Sequence, residues 1–513
     1  MSLTEMCARE RGWSTVSDPA KRPSVNPFGK LSGAALKDHL DLQNGLSNWQ
    51  FTAVSAALGL ALAAGVVLAA GPWDSGQRKA EQDWAAARDG TGGAHHDPDA
   101  PAGPAPAPSA PAVLAALGTA ADRSAPDTQA AAAAELGSVL DPLLEDSALG
   151  TRRSAVVIDT ATGGRLYGKG ADVPMTPAST VKIATTVAAL TALGPDHRVP
   201  TTVLASADSR TVTLVGGGDP TLDRAALRTL AADTARAVKA AGVHEVRLRY
   251  DTSGYSGPAL HPIGPNENIA PLSALMVNEG RLDDTASGPA QRSTDPARDA
   301  ADAFGELLDQ AGVDTRSGPA AGRAAAKSRP VAKHLSAPLS GLIERALTNS
   351  DNDIAEALAR QTALATGEPA DFAGGRRAVT AQLKKLKLPL KGVALTDGSG
   401  LDRHDKVTAA LLAGLLARTA DPDHPELRSV LSGLPVAGFS GTLSGRYTTK
   451  SGGTGLIRAK TGTLTGVNTL AGTVVDAHGR LLAFAFLASG TTDPAAAQSA
   501  LDSLATALAA GKR

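Results

Sequence analysis

From Leu42 to Trp73 no residue carries a charge, and Phe51 to Gly71 is almost wholly apolar. As a helix that stretch measures roughly 30 Å, the thickness of a bilayer's hydrocarbon core. Trp49 and Trp73 stand at its ends, where indole rings favour the headgroup level. The run predicts one membrane-spanning helix over residues 49–73, so the chain cannot fold as a single water-soluble unit. Val67-Leu68-Ala69 resembles a signal-peptidase site, but the tail before the span, about fifty residues, is longer than an ordinary signal peptide, so a retained signal anchor is expected. Local Lys/Arg counts do not orient it: Arg9, Arg11, Lys21, Arg22, Lys30 and Lys37 precede the span, while Arg78 and Lys79 follow closely. Orientation has to come from the chemistry downstream.

A short helix-like stretch, Gln77 to Arg88, leads into Asp97–Pro111, where six prolines alternate largely with alanine. Such a tract favours extended polyproline II, so residues 74–115 read as a linker that holds a domain away from the membrane. His95, His96, Asp97 and Asp99 fall inside it and have no scaffold to position them as metal ligands. The rest of a 513-residue chain exceeds what one core usually organises. Apolar residues are 42% of the chain but aromatics only 3%, so its cores must be filled by Ala, Val and Leu, which suits helices packed closely on a sheet. Lys plus Arg (50) nearly cancels Asp plus Glu (51), which removes the electrostatic footprint of a nucleic-acid binder. Cys7 is alone and cannot form an intrachain disulfide.

Ala155–Ile158, the turn Asp159–Gly164 and Arg165–Tyr167 read as a β-hairpin, followed by a helix over Ser179–Leu193. Residues 201–337 change character. Strand-like Val212–Leu214 and Val246–Tyr250, a Gly216-Gly217-Gly218-Asp219-Pro220 turn and a helix from Pro296 to Ala311 suggest an inserted α/β region. Beyond it, Leu339–Leu347 and Asp353–Ala365 are helical in pattern, and Leu470–Val475 with Leu481–Ala488 form a second hairpin. Strands at both ends with helices between predict an α+β domain, residues 116–200 and 338–513, whose antiparallel sheet lies between helical layers.

Three motifs follow in order: Ser179-Thr180-Val181-Lys182, Ser350-Asp351-Asn352 and Lys460-Thr461-Gly462. A serine at a helix start and a lysine three residues on share one face, so Lys182 can reach the Ser179 hydroxyl. That hydroxyl is a poor nucleophile until a base takes its proton, and lysine serves if desolvation or a second cation keeps it neutral. Lys460 is the candidate second cation. Ser350 could relay a proton to the leaving amine while Asn352 orients Lys182 or the substrate; either residue could instead cap the following helix. Lys460-Thr461-Gly462-Thr463 would form an edge strand along which an extended peptide pairs, with Lys460, Thr461 and Thr463 holding a terminal carboxylate. The backbone N–H groups of Ser179 and Thr463 would make an oxyanion hole, each donor worth about 3 kcal/mol. Asp397-Gly398-Ser399-Gly400 and Gly438-Phe439-Ser440-Gly441 miss the esterase pattern and read as turns.

This trio, with Leu214–Leu222, Ser336–Leu339, Ala355-Glu356, Asp397–Leu401 with Arg403, Leu434–Gly438 and Gly441–Leu443, resembles the D-alanyl-D-alanine carboxypeptidase/endopeptidase family, the class C low-molecular-mass penicillin-binding proteins. The resemblance runs over roughly residues 120–510, and the long gap between the first two motifs is similar to the family's insertions. It implies a transpeptidase/β-lactamase-like domain, peptidoglycan stem peptides ending in D-Ala-D-Ala as substrate, and β-lactams as acylating inhibitors. No metal or organic cofactor is then needed. The expectation is a single-pass protein with residues 1–48 cytoplasmic and its catalytic domain outside a bacterial cell membrane; cleavage of the span would make it secreted. The alternative is a catalytically silent peptidoglycan-binding or β-lactam-sensing protein on the same fold.

Overall fold

The computed structural model describes residues 126–447 and 451–510. The expected span, the tail before it and the linker 74–115 lie outside them; among the described residues no helix is long and apolar enough to cross a membrane.

The strands are β1 (Arg152–Asp159), β2 (Arg165–Lys169), β3 (Pro200–Ala205), β4 (Thr211–Val215), β5 (Glu245–Asp251), β6 (Asp314–Thr315), β7 (Ala320–Ala321), β8 (Arg329–Leu335), β9 (Ile457–Leu464), β10 (Val467–Val475) and β11 (Leu481–Ser489). The first sheet runs β2-β1-β11-β10-β9, antiparallel throughout. Val156 lies opposite Ala485, so strands far apart in sequence share one register.

Alternation along those strands sorts side chains to two faces. Val156 and Ile158 with Ala483, Ala485 and Leu487 meet the helices Lys182–Leu193, Leu339–Thr348, Asn352–Ala365 and Ala409–Ala420. Ala155, Val157, Phe484 and Phe486 meet the helices Pro126–Leu144 and Pro494–Ala510 on the other side. The alanines on the first face let the helix Ala409–Ala420 approach the sheet closely, with the other three packed in the same core. Each fully buried Leu or Phe in these layers contributes about 1.5–3 kcal/mol.

The second sheet, order β6-β5-β4-β3-β8 with β7 also on β5, is mixed. β3 is antiparallel to β4 and β8, whereas β4 and β5 are parallel and need a crossover, supplied by the helix Arg224–Ala240. Asp223 caps that helix by accepting from Ala226 N–H, and Asp295 caps Pro296–Gln310 with proline in its first turn. Leu214, Leu230, Phe304 and Leu308 fill the core beneath. Between Asp251 and Asp295 the only regular element is a short 3₁₀ turn, Asn278–Gly280; this irregular arm runs back to the second motif through Asn268 and Ala270.

Two local expectations are corrected. Ser179 does not open an α-helix: Ala178–Val181 is a 3₁₀ turn, and the α-helix begins at Lys182. The Pro177 carbonyl, which accepts from Thr180 N–H (3.3 Å) and from Thr469 Oγ1 (2.8 Å), tightens the turn. Nor does Ser350 or Asn352 cap the second motif's helix; Asp351 does, accepting from Ile354 N–H at 3.0 Å.

Candidate active site

In a 3₁₀ turn, side chains three residues apart eclipse each other. Lys182 Nζ accordingly lies 3.1 Å from Ser179 Oγ, and it also donates to Asn352 Oδ1 (2.7 Å) and the Ser399 carbonyl (2.6 Å). Lys182 is fully buried while Ser179 is half-buried. Two of the lysine's three neighbours are carbonyl oxygens that only accept. A neutral amine has two N–H bonds for those two oxygens, and its lone pair is left for the serine O–H.

The turn itself is strained, because Ala178 has φ +48° with a side chain. Two glycines make room for it. A Cβ on Gly400 would sit 2.1 Å from the Ala178 carbonyl oxygen; one on Gly462 would sit 2.1 Å from Thr469 Oγ1 and 2.7 Å from the Pro177 carbonyl oxygen. The first and third motifs therefore touch, backbone to backbone. β9 is the sheet's outer strand, and Thr461, Gly462 and Thr463 lie on it opposite Leu470, Thr469 and Asn468. An outer strand leaves alternate backbone groups free to pair with an extended chain.

Burial pushes the Lys182 amine down to about 8, while the carboxylates of Asp397, Asp351, Glu356 and Asp353 hold it up against that pull. Lys460, also fully buried, is lowered well below the usual lysine value by desolvation and then by the charge of Lys182. This corrects the expected direction of influence. Burial is the largest cause of the lowering at Lys182, and the charge of Lys182 in turn lowers Lys460. Lys460 Nζ donates to the Thr461 carbonyl at 2.9 Å, and Thr461 Oγ1 donates to Thr442 Oγ1 at 2.8 Å. Thr463 Oγ1 accepts from Gln498 at 3.4 Å. Ser350 stands two residues before Asn352, half-buried, in the left-handed region at φ +59°; its hydroxyl makes no hydrogen bond among the described residues.

Sequence reasoning missed the layer beneath Lys182. The Asp397–Asp402 turn presents the Ser399 carbonyl because buried carboxylates hold its N–H groups. Glu356 accepts from Gly398 and Ser399 (2.9 Å each), and Asp397 accepts from Gly400 (2.6 Å) and Asp402 (2.8 Å). His261, from the arm, meets Asp397 at 3.0 Å with both side chains buried. Burial alone would raise Asp397, but hydrogen bonds from His261, Asp405 and the backbone outweigh it and hold the carboxylate ionised. Asp405, buried beside that charge, is pushed up to about 10 and keeps its proton. His261, Glu356 and Asp397 place ligating atoms within 4.8 Å of one another, as do Glu279, Asp351 and Asp353. Glu356 pairs with Arg360 (3.4 Å), Asp353 with Arg292 (3.0 Å) and Glu279 with Arg281 (3.0 Å), so both clusters hold ion pairs, although Asp351 Oδ2 and Asp353 Oδ2 accept no hydrogen bond among the described residues. The Asp397-Gly398-Ser399-Gly400 run was a visible signal, but nothing in it announced that a backbone carbonyl would face the lysine.

The family model described as D-Ala-D-Ala carboxypeptidase 3 (S13) matches residues 136–291 and 283–510. The chain belongs to this S13 family. As a member it is a serine-type D-Ala-D-Ala carboxypeptidase. A carboxypeptidase of Mycobacterium tuberculosis is 37% identical over 427 residues, covering 79% of this chain and 89% of the relative. Carboxypeptidase DacB of Mycolicibacterium smegmatis is 38% identical, covering 69% and 79%. Among solved structures, penicillin-binding protein 4 of Haemophilus influenzae superposes with a TM-score of 0.60 at 22% identity, covering 72% of this S13 chain and 98% of that one. That likeness establishes the fold; the same protein is also known with a β-lactam bound, at a TM-score of 0.58.

Proposed function

We propose that Ser179 is the nucleophile and Lys182 its general base in hydrolysis of the D-Ala-D-Ala end of peptidoglycan stem peptides. The observation that carries this is the lysine amine at 3.1 Å from Ser179 Oγ with its other two neighbours both acceptors. Lys182 takes the hydroxyl proton as Oγ attacks the carbonyl of the penultimate D-Ala. The N–H groups of Ser179 and Thr463 receive the oxyanion, and the proton passes through Ser350 to the departing terminal D-Ala. Water then hydrolyses the acyl-enzyme with Lys182 again as base.

The peptide lies as an added strand along β9, with Gly462 allowing close approach and Lys460, Thr461 and Thr463 facing its carboxylate. A carboxylate arriving beside Lys460 favours the charged form of that lysine, against the burial that lowers it in the free enzyme, and the cation holds the substrate. β-Lactams acylate Ser179 by the same attack. A cross-linked peptide lacking the terminal carboxylate would suit an endopeptidase, and the free outer edge of β9 is compatible with both bonds. Cell-wall substrate and the apolar run at residues 49–73 together support an anchored protein with this domain outside the membrane.

The test is labelling with a fluorescent penicillin, followed by assay of D-Ala release from a stem peptide. Labelling and release that both vanish in Ser179→Ala are expected. Labelling without release would favour the silent sensor, and label that persists in S179A would refute the assignment.

A further inference from the structure

The second motif is held by the irregular arm between Asp251 and Asp295. Asn352 Nδ2 donates to the Asn268 carbonyl at 2.9 Å, and this fixes the amide with its oxygen towards Lys182. Were the amide reversed, its NH2 would face the lysine's N–H bonds and its oxygen would face the Asn268 carbonyl oxygen. The segment carrying Asn268 belongs to the irregular arm, and two contacts tie it down at the next residue of the helix. Ala270 N–H donates to Asp353 Oδ1 at 2.9 Å, and Arg292 pairs with Asp353 Oδ2 at 3.0 Å.

A second, independent feature secures Arg292. Asn278, Glu279 and Gly280 have φ +46°, +56° and +63°, a run of left-handed backbone that persists only where its surroundings over-determine it. The turn buries Glu279 completely, where it meets Arg281 (3.0 Å) and Arg345 of the Leu339–Thr348 helix; the Glu279 carbonyl accepts from Arg292 at 2.7 Å. The arm is thereby bolted to the helices on both sides of the second motif.

We propose that Arg292 is a positioning residue for acylation: through Asp353 it locks the arm so that the Asn268 carbonyl orients the Asn352 amide, and that amide in turn orients Lys182. This rests on the reading of Ser179 and Lys182 as nucleophile and base, which S179A tests separately. If Arg292 acts through Asn352, its effect vanishes once Asn352 is gone, whereas a general weakening of the fold persists in either background.

The experiment is a double-mutant cycle on the full chain, reading the rate of labelling by fluorescent penicillin together with thermal unfolding. Arg292→Gln is expected to slow labelling at least tenfold in the parent and less than twofold in an Asn352→Ala background, while its effect on Tm is the same in both. Arg292→Lys, which keeps a cation for Asp353, should restore labelling to within threefold. Should R292Q fail to accumulate folded, Asp353→Asn takes its place: it removes the carboxyl oxygen that Arg292 pairs with but leaves an amide oxygen for Ala270 N–H, and the same pattern of coupling is required. An equal slowing in both backgrounds, or an unchanged rate in a folded R292Q protein, overturns the proposal.

Discussion

Acylation of Ser179 should climb with pH because only the neutral amine of Lys182 can accept the hydroxyl proton. Burial brings that amine down to about 8 from the ordinary 10.5. At pH 7 about 10% of molecules then carry a neutral Lys182, and at pH 9 about 90% do, so the rate should rise about tenfold across those two units. The assay is the apparent second-order rate of labelling by a fluorescent penicillin from pH 6.5 to 9, with circular dichroism confirming the fold at each pH. Lys182→Arg supplies the control, since a guanidinium stays charged throughout and should label at none of these pH values. A flat or falling profile in folded protein would refute Lys182 as the base, because among the described residues no other side chain is hydrogen-bonded to Ser179 Oγ.

Lys182→Met should abolish labelling and yet tolerate heat as well as or better than the parent at pH 7. A lysine whose folded value lies below its unfolded one destabilises most where both states are protonated, below about 8, and the penalty fades as pH rises towards 10.5; here it amounts to about 3 kcal/mol, part of which the lost bonds to Asn352 and Ser399 offset. Thermal melts at pH 7 and 10 check this, with the gain from K182M larger at pH 7. Gly462→Ala should reduce labelling by at least a hundredfold and stability by about 1–3 kcal/mol, since its methyl would meet Thr469 Oγ1 at 2.1 Å and must displace β9 or the Ser179 turn. Asp397→Ala should cost several kcal/mol, roughly 1–3 for each N–H of Gly400 and Asp402 left unpaired, and it should slow labelling as the Ser399 carbonyl drifts from Lys182; denaturant melts and labelling rates report the two effects.

Much of the fold was legible because the layers obey simple periods. Both hairpins of the first sheet and the helix Pro296–Gln310 follow from alternation and capping, and a scarcity of aromatics signalled alanine-lined packing. The helix Arg224–Ala240 was readable too, with Asp223 at its cap, but its surroundings read as strand and obscured it. The motifs located Ser179, Lys182, Ser350, Asn352 and Lys460 because their chemistry is local in sequence. What stayed hidden is non-local: Asn268 contributes a backbone carbonyl, which any residue could supply, and its place beside Asn352 depends on Asp353, Arg292 and a left-handed turn at Glu279. Nor could spacing reveal that both lysines are lowered, because that follows from their burial in the fold and not from position along the chain. The same distinction explains why the base works. A lysine placed three residues after a serine on an exposed helix would keep its ordinary value of 10.5; Lys182 falls to about 8 because burial takes water from it, while Asn352 Oδ1 and the Ser399 carbonyl give its N–H bonds somewhere to go.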